Sequence, residues 1–162
     1  MVSRRFRLLA AACAATGVLT GAGTADAAPL VDPEPNLVTT LRCDSANPLP
    51  GPRIRVWVDV YNRIAFPSDG LPGPAISLVG SSRTQSGLVE YTVATRVSWR
   101  NLRTGRTGTV RVPARARTVT WQAVLHPGAG PVAFTIRQQI GALIVVPMVN
   151  PQQSTCRGRA TA

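Results

Sequence analysis

The chain has 162 residues, with 18 basic side chains against 7 acidic ones and a formal net charge of +11. One histidine, three cysteines and few carboxylates leave little from which to build a multi-ligand metal centre or a carboxylate-rich active site. Every basic residue is arginine, and with abundant Ala, Gly and Pro this points to a G/C-rich genome before it points to bidentate anion recognition.

The N-terminus reads as an export signal over residues 1–27. Arg4, Arg5 and Arg7 form a positive region, Leu8 to Leu19 an apolar stretch, and Ala25-Asp26-Ala27 a small-x-small cleavage site. The apolar stretch is short of the ~20 residues needed to cross a bilayer, so no anchor helix is expected in the mature chain. Ser3-Arg4-Arg5 resembles a twin-arginine signal, but Arg7 stands where that signal prefers an apolar residue. Cys13 lies inside the apolar stretch, with Ala10 three residues before it, which argues for loss on cleavage over lipidation.

Removing the signal leaves Cys43 and Cys156, and two cysteines in an oxidising compartment normally pair. The mature chain keeps fifteen arginines against six acids, about +9 net, which favours adsorption to polyanions. Outside the cytoplasmic membrane the available anions are envelope polymers and lipid head groups, and nucleic acid is not an expected partner. The bland alternative is that the charge only keeps the protein soluble.

Residues 28–36, with Pro29, Pro33 and Pro35, read as a flexible leader, and 37–162 as one domain. Short β-branched runs separated by Gly and Pro dominate it. Strands are expected at 37–43 and at 53–62, where Ile54, Val56, Val58 and Val60 share a face. A Pro/Gly loop over 66–74 leads to a short strand at 75–79. The longest strand, 88–100, puts Val89, Tyr91, Val93, Val97 and Trp99 on one side; 109–112 follows a turn at 101–106. Residues 117–125 bring Val119, Trp121, Ala123 and Leu125 together, 132–140 follow a tight loop, and the apolar run 143–149 reads as a last, buried strand.

Seven or eight such strands with short connections give an all-β, antiparallel β-sandwich of immunoglobulin-like topology. A true immunoglobulin domain is disfavoured because the cysteines sit at the chain ends. The segment Val97-Ser-Trp-Arg-Asn-Leu-Arg-Thr-Gly-Arg-Thr-Gly-Thr-Val110, with Pro-Gly-Ala-Gly-Pro-Val at 127–132 and the Ala-x-Ala-Ala-Pro processing site, resembles small secreted actinobacterial proteins of uncharacterised function. That resemblance covers about a quarter of the chain. It implies a genome type and a compartment, and carries over no catalytic residue.

His126 precedes Pro127 at a strand end and has no Gly-x-Ser-x-Gly elbow to serve, so a serine hydrolase is a distant reading. Asp59 and Glu90 are the mid-strand carboxylates and read as partners of arginines on a solvated face. No metal, cofactor or catalytic residue is expected, and the domain reads as non-catalytic. Alternation places Arg53, Arg55, Trp57, Asp59 and Tyr61 opposite the Ile/Val face. Arg53, Arg55, Trp57 and Tyr61 are the candidate site for an anionic envelope ligand or a protein partner. The competing expectation is a structural or antigen-like exported domain, with Trp57 covered by another segment. Trp99 and Trp121 are read as core.

Overall fold

A computed structural model describes residues 36–86 and 89–162; the expected signal peptide, Cys13 and the leader up to residue 35 lie outside them. Eight strands follow: β1 (Asn36–Arg42), β2 (Val56–Asn62), β3 (Ile76–Gln85), β4 (Glu90–Asn101), β5 (Thr107–Ala116), β6 (Thr118–Leu125), β7 (Pro131–Leu143) and β8 (Val149–Thr161). They form two four-stranded sheets, ordered β1-β2-β3-β6 and β5-β4-β7-β8, in which every pairing is antiparallel. The all-β expectation therefore holds.

Period-two alternation drives the packing. Ile54, Val56, Val58 and Val60 are fully buried from the first sheet; Tyr91, Val93, Val97, Val132, Phe134, Ile136 and Ile140 meet them from the second. Trp121 is buried as expected, whereas Trp99 is half-buried at the margin of the core. Facing Trp121, β3 carries Gly80, where a Cβ would come within 2.2 Å of the indole. The glycine makes room for the ring. One polar bridge crosses the core: Trp121 Nε1 donates to Gln138 Oε1 (3.2 Å), and Gln138 Nε2 donates to the Cys43 carbonyl (2.6 Å).

Cys43, following β1, is bonded to Cys156 of β8, with Cα atoms 5.4 Å apart. The bridge thus ties one edge of each sheet. At the other margin the chain turns from β5 into β6 through Arg117, whose carbonyl accepts from Ser86 N–H (3.1 Å).

The last part of the chain departs from expectation. Residues 143–149 are not a buried strand: β7 runs on to Leu143, Ile144–Val146 stand exposed in a turn, and β8 starts at Val149. The inward positions of β8 include Gln152, Ser154, Cys156 and Gly158, polar or small, so an apolar pattern does not announce it. At Gly158 a Cβ would lie 2.6 Å from the Phe134 ring, so bulk on β7 sets what β8 can carry. Two other strands outrun their expected limits. β3 extends through Gly80 and two serines to Gln85, and β5 passes through Pro113. Pro113 and Pro151 are both tolerated because β5 and β8 are edge strands.

Candidate functional site

Each sheet has an outward face, and the two faces differ in charge. On the first sheet, β2 presents Trp57, Asp59 and Tyr61 outward, all half-buried, while Arg53 and Arg55 are exposed in the segment leading into it. The alternation of this strand is as expected, and no segment seals Trp57. The Arg42 guanidinium lies 5.3 Å from the Trp57 ring centroid and also pairs with Asp44. Asp59 accepts a hydrogen bond from Thr40 Oγ1 (2.5 Å); its partner is a hydroxyl, not the arginine expected of it. Tyr61 sits beside the 66–74 loop, in a hollow shared with Phe66, Val79 and Val124. The four residues singled out from sequence therefore lie along one strand and its lead-in, with two aspartates among them.

The Arg42 guanidinium hydrogen-bonds Asp44 and holds its carboxylate below the ordinary range, an effect that outweighs the opposing one of burial; Val56 N–H adds a contact at 3.3 Å. A carboxylate whose folded pKa is depressed gives stability that is fully present above its unfolded value, about 3.9, and lost as pH falls through the folded pKa. Asp44→Asn should therefore lower the melting temperature near neutrality. The difference from the parent should close once the pH drops well below ~4. A difference independent of pH between acid and neutral conditions would show that the pair does not act through its charge.

His126 and Asp69 are the imidazole–carboxylate pair among the described residues. Nε2 lies 2.7 Å from Asp69 Oδ2, and Nδ1 lies 3.2 Å from the Pro72 carbonyl oxygen. Both ring nitrogens thus hold the 66–74 loop, and neither is turned toward a serine hydroxyl. No group of three or more His, Cys, Asp or Glu side chains suited to a metal occurs among the described residues.

The outward face of the second sheet is different. Strand register places Arg111, Arg96 and Arg137 directly abreast on β5, β4 and β7. Neighbouring strands lie about 4.8 Å apart, so these three backbones are as close as sheet geometry allows. One row along, Arg157 on β8 faces Thr135; a further row on, Arg159 and Arg100 flank Ala133. Arg115 stands toward the other end of β5, opposite Thr92. All seven side chains are exposed. The one carboxylate near this face among the described residues is Glu90, which pairs with Arg115. The central row borders a shallow trough of about 820 Å³ whose lining adds Gln139, Gln153 and Thr155.

Like charges placed directly opposite on neighbouring strands destabilise a sheet. Three guanidinium groups abreast, without a carboxylate to separate them, are a cost of folding that an anion would offset. Composition announced the arginines but not their position; assembling the row requires the register of β4 with both neighbours, which sequence alternation alone does not supply.

No family model, no curated protein and no solved structure matches this chain.

Proposed function

We propose that this is an exported, non-catalytic domain that binds an anionic envelope polymer, and that the outward face of β5-β4-β7-β8 is the binding surface. The observation that carries the reading is the unneutralised row Arg111–Arg96–Arg137. A planar guanidinium presents several N–H donors and forms charge-assisted, often bidentate bonds to phosphate or carboxylate. Arg157 and Arg159 continue the row toward one end, about 6.7 Å apart along the strand, so an extended polymer with regularly spaced charges meets successive donors. Flanking threonines and glutamines add neutral hydrogen-bonding groups.

The same comparison of faces assigns a lesser role to Arg53, Arg55, Trp57 and Tyr61. Arg42 covers the indole and Asp44 and Asp59 offset the nearby charge, which favours a structural role for that strand face. Export is part of the proposal; the disulfide supports it, and no helix among the described residues is long and apolar enough to cross a membrane. The immunoglobulin-like description belongs here too. Two antiparallel sheets face to face support it, while the adjacency of β2 and β3 in one sheet departs from the constant-type arrangement, whose third strand crosses to the other sheet.

The test is Arg96→Thr with Arg111→Thr and Arg137→Thr, assayed by retention on immobilised polyglycerol phosphate over a range of salt. Binding should weaken by on the order of 10²-fold at low salt, and the slope of log affinity against log salt should fall by roughly two to three as fewer counterions are released. The melting temperature should stay level or rise, because like charges have been removed. Arg53→Gln with Arg55→Gln should change retention little. Equal loss in both variants would reduce the effect to net charge, and unchanged retention in the triple variant would remove the proposed surface.

A further inference from the structure

The turn between β7 and β8 carries Ile144, Val145 and Val146 at 57%, 91% and 58% exposure, the most prominent aliphatic cluster on the described surface. It stands at one end of the sandwich. Leu143 pairs with Glu90 and Tyr91 with Ala116, so the turn shares that end with the β5–β6 corner, where Arg117 is exposed and Arg115 is taken up by Glu90. The chain enters β1 at the other end, where Asn36 pairs with Asn62.

We infer that this turn is a lipid-contacting tip, which inserts its three aliphatic side chains between the head groups of an anionic bilayer while the neighbouring Arg117 engages a lipid phosphate. Size and charge commit the tip to this occupant. A stable interface between proteins buries about 800 Å² on each partner, and three aliphatic side chains fall far short of that. A second copy would also bring its own Arg117 against this one. A bilayer needs little area from each apolar group, and its anionic surface attracts the adjoining Arg117 guanidinium. Backbone N–H and C=O groups of a turn are not all paired within it, so the turn stops at head-group depth and only its side chains go deeper. One weak apolar contact and one electrostatic contact together supply the two signals that stable membrane binding requires.

The inference rests on the Ile144–Val146 turn and Arg117, which lie outside the polymer-binding face, so the two are separable. Val145→Cys, in the exported protein from residue 28 onward with an intact Cys43–Cys156 bridge, is labelled with an environment-sensitive nitrobenzoxadiazole dye. Vesicles containing equimolar phosphatidylglycerol and phosphatidylcholine should shift its emission to the blue, and pure phosphatidylcholine should do so far less. Val145→Asp should lower co-sedimentation with the anionic vesicles roughly tenfold, while retention on polyglycerol phosphate stays at the parent value. An emission spectrum unmoved by anionic vesicles overturns the inference. So does a blue shift that grows with protein concentration in the absence of lipid, which marks self-association.

Discussion

Replacing Cys43 and Cys156 together by alanine should destabilise the domain by about 4–5 kcal/mol, the value that chain entropy assigns to a closed loop of this length. The bridge spans a sequence separation of 113 residues, nearly the whole of the two sheets. Without it the unfolded chain regains the freedom of its ends, and the melting temperature should fall by on the order of 10–20 °C. The denaturant dependence should steepen as well, because the uncrosslinked unfolded state exposes more surface. Cys43 is buried, so part of the loss is local packing, while its backbone carbonyl keeps the Gln138 bond with either side chain. Equilibrium unfolding in urea, with and without reductant, separates the two contributions: reduction alone leaves the side chains in place. A total loss below about 1 kcal/mol would mean that the unfolded chain already keeps its ends together.

Trp121→Ala should cost a similar amount, about 3–5 kcal/mol, by opening a cavity between the sheets. The indole also donates to Gln138 Oε1, and its removal leaves a buried acceptor without that donor, a further penalty of about 1–3 kcal/mol if no water enters. Gly80 makes the site diagnostic. Gly80→Val alone should destabilise by about 1–3 kcal/mol, since its Cβ meets the ring. In the Trp121→Ala background the same valine fills vacated space, so the double variant should be clearly more stable than the sum of the two losses. Simple additivity would show that the glycine and the tryptophan are not matched.

What could be read from the sequence followed from how each strand is buried. Strands with one apolar face declared themselves: the Ile54–Val60 set and the Val119–Leu125 set are buried as alternation demands. β8 did not, because its inward side chains are small and polar where bulk from β7 already fills the space. The aliphatic run at 143–149 misled for a related reason: hydrophobicity reports a cost of exposure, and a turn that meets another surface can bear that cost. The polar end of β3 was lost to Gly80 and two serines, residues that signal turns locally, although here the glycine accommodates an indole. The candidate site shows the same division. The outward set on β2 was legible, since it needs one strand only, whereas the row of Arg111, Arg96 and Arg137 needs three strands in register.

The placement of the disulfide has a mechanical consequence. The described chain enters at Asn36 and leaves at Ala162 at one end of the sandwich, where Asn62 Nδ2 donates to the Thr161 carbonyl. The cystine lies farther along both edge strands, at Cys43 and Cys156. Tension applied to the two termini therefore peels β1 and β8 from their neighbours one hydrogen bond at a time, and peeling halts at the covalent bridge. Residues 36–42 and 157–162 can be drawn out, roughly 45 Å of chain at full extension. The 113-residue span closed by the bridge cannot be extended end to end without reduction. Pulled from both ends, the domain would yield by that short, fixed length and then hold.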